Sequence, residues 1–102
     1  MITNFYVEGS NIHGYYINMM YTLGNTTYTL NSVSNIIEHL NVEFNDFNKM
    51  VKLYNGSYSP FSITDIPCNV NHMRCVHFKN KNDANKFVTE YLDSLLLIKK
   101  LL

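Results

Sequence analysis

The stretch YINMMYTLGNTTYTL, residues 16–30, constrains the fold more than any other part of the chain. Gly24-Asn25 lies between two runs in which apolar and polar residues alternate, the pattern of a two-residue hairpin turn with glycine first. That turn sets a register. Leu23 falls opposite Thr26, Tyr21 opposite Tyr28 and Met19 opposite Leu30, with Ile17 and Tyr15 extending the same face. The other face carries Asn18, Met20, Thr22, Thr27 and Thr29. A ribbon that is apolar and aromatic on one side only has to be covered on that side. The expectation is that Met19, Tyr21, Leu23, Tyr28 and Leu30 are all consumed by packing against helices.

The rest of the chain supplies the cover. Residues 3–8 alternate, Phe5 and Val7 against Asn4, Tyr6 and Glu8, and Gly9-Ser10-Asn11 turns the chain. Val33, Ile36, Ile37 and Leu40 recur at helical spacing behind Asn31 or Ser32 as cap. A second helix, over about residues 45–55, uses Phe47, Met50, Val51 and Tyr54, with Asn45 or Asp46 as cap and Gly56 as stop. Pro60 and Pro67 bracket an edge strand with Phe61, Ile63 and Ile66, and residues 70–78 read as a further strand. Asn82 and Asp83 open the longest helix. Its stripe is Ala84, Phe87, Val88, Tyr91, Leu92, Leu95 and Ile98, with Lys99 and Lys100 favourable at its C-terminal end. The fold class expected is α+β in two layers: an antiparallel sheet of about five strands with three helices on one face, order β-β-β-α-α-β-β-α, in one domain over residues 1–102.

Composition narrows the function classes. Fourteen aromatics and 46% hydrophobic residues in 102 positions supply a core and argue against disorder. The N-terminus has neither a basic flank nor an apolar run, and the longest strongly apolar piece, Leu95–Ile98, is far short of a membrane span, so a soluble cytoplasmic protein is expected. Fifteen Asn, one Ala, one Arg and no Gln point to an AT-rich coding sequence of the kind found in low-GC bacteria and their phages or plasmids. Residues 1–48 hold four acidic and no basic residues, whereas residues 49–102 hold all eight basic residues against four acidic ones. That balance excludes a strongly acidic nucleic-acid mimic and a strongly basic nucleic-acid binder.

Four soft side chains, Cys68, His72, Cys75 and His77, crowd into ten positions as C-x3-H-x2-C-x-H. A structural zinc ion needs four such ligands in a tetrahedron at about 2.0–2.3 Å. On a strand, however, the period of two sends His72 to one face and Cys75 with His77 to the other. Cys75 is then expected as a small buried hydrophobe, and no metal or cofactor is assigned. The glycines are too scattered for a phosphate loop, and no arrangement of carboxylates or nucleophiles marks an enzyme.

Recognition of another protein is the reading that remains. Tyr6, Tyr16, Met20 and Tyr58, expected off the core face or in loops, are candidate anchors, and Glu43 with Asp46 adds an acidic contact. The expected partner is a larger host protein, a nuclease in the sharpest version, or a second copy of the chain. An anti-CRISPR or other anti-defence inhibitor of phage origin, acting by steric occlusion, fits the size and composition. The alternatives are a zinc domain built on residues 68–77 and a weak single-strand nucleic-acid binder. The latter would use Arg74, Lys79, Lys81 and Lys86 beside the tyrosine face.

Overall fold

A computed structural model describes residues 2–60 and 74–101, and over them the chain forms five strands and three helices in the order βββααββα. The strands are β1 (Ile2–Ser10), β2 (Gly14–Leu23), β3 (Thr26–Leu30), β4 (Ser57–Pro60) and β5 (Arg74–Phe78). Helix α1 is Val33–Leu40 and α2 is Phe44–Leu53. Lys81–Lys86, Phe87–Leu92 and Asp93–Leu101 follow one another without a break as the last helix, α3, whose middle segment is π-helical.

β2 is the spine of the sheet. One edge pairs with β1 along its length, from Ile2↔Thr22 to Ser10↔Gly14. The other edge is shared: β5 takes the beginning, at Tyr15↔Phe78 and Tyr16↔His77, and β3 takes the end, from Met19↔Leu30 to Leu23↔Thr26. β4 pairs with the outer side of β5. The hairpin register is the one expected from Gly24-Asn25. Gly24 has φ +64° while Asn25 keeps a negative φ, which is the type II′ arrangement whose twist suits the flanking strands.

The strand periodicity delivers one face to the core. Phe5, Tyr15, Ile17, Met19, Val76 and Phe78 are buried from the sheet, and Val33, Ile36, Leu40, Phe47, Val51, Phe87, Val88 and Leu92 from the helices. Phe87 is the hub of a ring cluster, edge-on to Phe47 and Tyr54 at 5.9 and 5.8 Å and tilted against Phe78 and Tyr91 at 5.4 Å each. Such ring pairs add to the area term, which alone is about 1.5–3 kcal/mol for a buried Phe.

The caps depart in part from expectation. Ser32 does cap α1, its hydroxyl accepting from the Asn35 amide at 3.1 Å, which contributes about 1 kcal/mol. Asn41, left-handed at φ 55°, closes the other end of that helix. For α2 the N-cap is Glu43, without a side-chain cap hydrogen bond, rather than Asn45 or Asp46. Its stop is Asn55, at φ +63°, rather than Gly56. Gly56 is needed for space: a Cβ there would lie 2.8 Å from the Phe78 ring. α3 starts one residue earlier than expected, with Asn80 accepting from the Asn82 amide at 2.7 Å.

The π segment displaces the stripe of α3. Leu96 is buried and Ile98 is 53% exposed, where the 3.6-residue pattern put Leu95 and Ile98 inside. A π turn bonds i to i+5 and so takes up an extra residue, which rotates everything after Leu92. Thr89 and Ser94 hydroxyls, donating to the carbonyls of Asn85 and Glu90, accompany the disturbance. The expected strand over residues 61–66 and the first part of that over 70–78 lie outside the described residues. Among the described residues no helix is long and apolar enough to cross a membrane.

Candidate binding site at the open end of the sheet

The cover fails at one end of β2. A ten-residue strand is about 34 Å long and an eight-residue helix only about 12 Å. α1 directs Val33, Ile36 and Leu40 into the core, which leaves Asn35, Glu38 and His39 on the flank facing the hairpin. Of the five residues expected to be consumed by packing, only Met19 is fully buried. Tyr21 and Leu30 are half-buried, Tyr28 is 42% exposed and Leu23 is 59% exposed. The expectation for Leu23 and Tyr28 is therefore corrected: they lie beyond the helices.

Between hairpin and helix lies a hollow of about 180 Å³, floored by Met19, Tyr21 and Leu30 and walled by Asn35, Glu38 and His39. Tyr21 stacks with Tyr28 at 5.1 Å and with His39 at 5.6 Å, the planes 21° and 27° apart. Tyr28 sits on β3, and His39 shares a 3.0 Å hydrogen bond with the Thr3 hydroxyl on β1, so Tyr21 lies between them in a row of three rings. The Lys99 ammonium donates to the His39 carbonyl at 2.5 Å and so satisfies one of the last carbonyls of α1. Beyond His39 a second hollow, of about 120 Å³, is lined by Thr3, Leu96, Lys99 and Lys100. Burial first, and the Lys99 charge second, hold the His39 imidazole below its ordinary pKa of 6.5, so it is neutral at neutral pH.

The residues singled out from sequence are elsewhere. Tyr6, Tyr16 and Met20 do share the sheet face opposite the helices, each half-buried. There the Tyr16 hydroxyl and the Asn18 amide donate to Glu8 at 3.2 and 2.7 Å. Asn18 is 3% exposed, and its Oδ1 has no hydrogen-bond partner among the described residues. Tyr58 is a correction. It sits on the helix-facing side of β4, opposite Val76, and packs against the core with its ring stacked on Phe44 at 6.1 Å. Burial, with Tyr91 adding, pushes its hydroxyl up to about 12.

Glu43 and Asp46 are exposed at the start of α2, and Glu43 accepts from the Asn45 side chain at 3.3 Å. Lys79, Lys81 and Lys86 are exposed around the beginning of α3, at the Tyr15 end of β2 and away from the open rings. Arg74 opens β5 at the end remote from Lys79. The three lysines thus do not converge on the stacked tyrosines.

Of the cysteine–histidine cluster, Cys68 and His72 lie outside the described residues. Cys75 and His77 occupy one face as the strand period requires. Cys75 is buried, and burial pushes its thiol up to about 11. The His77 Nε2–H donates to the His13 carbonyl at 3.1 Å. Among the described residues no three His, Cys, Asp or Glu side chains come together as a metal site.

Sequence reasoning did not single out Thr3, Asn35 or His39, and placed Lys99 and Lys100 only as favourable charges at the end of the last helix. A usable signal was present: the apolar face of the hairpin is far longer than the helix meant to cover it. Comparison with known proteins finds no matching family model, no matching curated protein and no matching solved structure.

Proposed function

We propose that this chain is a non-enzymatic protein-binding module that covers a surface of a larger partner, with the open end of the β2–β3 hairpin as its contact. The observation carrying this reading is the exposure of Leu23 and Tyr28 beside a preformed row of rings. An apolar and aromatic patch left uncovered by its own helices costs the monomer burial, and association recovers it. The rings are already stacked and so lose little side-chain freedom when a partner docks. Glu38, Lys99 and Lys100 surround them as charges of both signs, the usual rim of a specific interface. Cys75, buried and protonated at neutral pH, suits packing rather than nucleophilic catalysis. Size and AT-rich composition extend the reading to an anti-defence inhibitor that occludes a host nuclease.

The test is affinity capture from a low-GC bacterial lysate with wild type and with Leu23→Asp/Tyr28→Asp, both shown to melt alike. The proposal expects one stoichiometric partner held by wild type and lost by the double variant. No stoichiometric partner, or equal capture by both proteins, would remove it.

A further inference from the structure

We infer that the outer edge of β1 is a self-association seam, on which β1 of a second copy pairs antiparallel and continues the sheet across a twofold axis. This does not rest on the hairpin contact, which lies beyond the other edge of β2. Among the described residues β1 pairs with β2 alone, so its outer edge carries no ladder. The hairpin turn fixes which groups that edge presents. Leu23 and Thr26 flank a two-residue turn and bond to each other, so the alternate residues Tyr16, Asn18, Met20 and Thr22 direct their backbone groups at β1. Their partners there are Glu8, Tyr6, Asn4 and Ile2. Thr3, Phe5 and Val7 therefore turn their N–H and C=O groups outward.

Sheet edges are ordinarily blunted by short strands, lysine or proline. β4, the edge at the opposite end of the sheet, has four residues and closes on Pro60, and β3 has five. β1 has nine, with no Lys, Arg or Pro. What selects a second copy is the order of those residues. Ile2–Ser10 is centred on Tyr6. Antiparallel pairing about that centre sets Phe5 opposite the second copy's Val7, where the outward backbone groups are exchanged, and sets Tyr6 opposite Tyr6. Asn4 falls opposite Glu8, a carboxamide donor against a carboxylate, and the twofold repeats every pair. The Tyr6 and Asn4–Glu8 pairs occupy the non-hydrogen-bonded positions of the new ladder, where side chains lie closest. Asn4 and Glu8 are exposed, and the Tyr16 and Asn18 donors hold the Glu8 carboxylate on this face. No like charges meet in this register, whereas a seam centred on Glu8 would oppose two carboxylates.

α3 widens the seam. It packs along β1 through all three of its segments, and its Lys99 is turned to α1, donating to the His39 carbonyl. Leu97 and Leu101, each two residues from Lys99 and so about 200° round the helix, face away from α1 and are 60% and 79% exposed. The twofold puts both helix layers on one side of the continuous sheet, with one α3 beside the other, and these leucines gain the apolar cover that strand pairing alone does not supply.

The test is sedimentation equilibrium of the full chain, alone and as Asn4→Glu and Asn4→Lys, with hydrogen exchange read at single amides. Wild type should dimerise. Asn4→Glu sets a carboxylate against Glu8 twice and should weaken the dimer by about tenfold, whereas Asn4→Lys should tighten it several-fold. Opposite shifts from one exposed position separate the seam from any loss of folding. The Phe5 and Val7 amides should gain protection as concentration rises, while the Tyr6 amide, bonded to β2, is protected throughout. A chain that stays monomeric up to about 1 mM would overturn the seam. So would variants that shift together or not at all, or a dimer whose Phe5 and Val7 amides exchange as in dilute solution. Protection of those amides only in complex with a captured larger protein would assign the edge to that protein and remove the second copy.

Discussion

Tyr15 and Tyr28 share the helix-facing side of the sheet, near opposite ends of β2, and meet different fates. Tyr15 pairs with Phe78, whose ring meets Phe87 on α3, and it is 8% exposed. Tyr28 pairs with Tyr21, stacks on it, and keeps its other side in solvent. The alternation of apolar residues is as regular at one end as at the other. What differs is the element above: aromatic residues of α2 and α3 at the closed end, and Asn35, Glu38 and His39 of α1 at the open end. Strand periodicity decides which side a residue faces. Helix length and helix polarity decide whether that side becomes core or contact surface.

The comparison breaks most visibly at its closed end. Phe87→Ala removes the hub of the ring cluster and is expected to cost about 3–5 kcal/mol. That is a large part of a domain's total of about 5–15 kcal/mol, measured by urea unfolding. A loss under about 1 kcal/mol would mean the closed end is not where stability resides.

Two glycines sharpen the contrast. Gly9, opposite Tyr15, has φ +131°, and a Cβ there would lie 2.1 Å from the Gly14 carbonyl oxygen, which is backbone and has little freedom to yield. Gly24, at the hairpin tip, has φ +64° and nothing within 4 Å. Gly9→Ala should cost about 2–3 kcal/mol and Gly24→Ala about 1 kcal/mol. Equal costs in parallel melts would contradict a crowded end and an open one. Leu23→Ala should stay within about 0.5 kcal/mol of wild type in the same assay.

The smallest effect concerns protonation. The His39 pKa in the folded chain lies below its ordinary 6.5, so the unfolded chain binds more protons over the interval between them. The stability contributed by neutral His39 is complete above about 6.5 and is lost as pH falls through the lower folded value. Urea midpoints at about pH 7.5 and 5.5 should therefore differ less for His39→Gln than for wild type. Identical differences would mean that the imidazole is not shielded at the open end.

Much of the fold was legible because its determinants are local. Gly24-Asn25 specifies the hairpin register, and the spacing of Val33, Ile36 and Leu40 specifies the inner face of α1. The alternation in residues 74–78 places Val76 and Phe78 opposite Cys75 and His77. The misreadings arise where a long-range arrangement decides. The π segment adds a residue to a turn and exchanges Ile98 for Leu96, although no single residue marks it. Tyr58 looks like a loop tyrosine until β4 pairs with β5 and turns it toward Phe44. The candidate site was hidden for the same reason. Thr3, His39 and Lys99 come from three separate elements, and only their packing brings them to one place.

The claim that one strand face is core at one end and contact surface at the other is tested most directly by a pair of substitutions in one unfolding assay, Tyr15→Ala and Tyr28→Ala. Removal of the Tyr15 ring, together with its hydroxyl's hydrogen bond to the Asn11 side chain, should cost about 3 kcal/mol or more, and removal of the Tyr28 ring less than about 1 kcal/mol. Costs equal to within error would contradict the account, because Tyr28 would then be as much a part of the core as Tyr15.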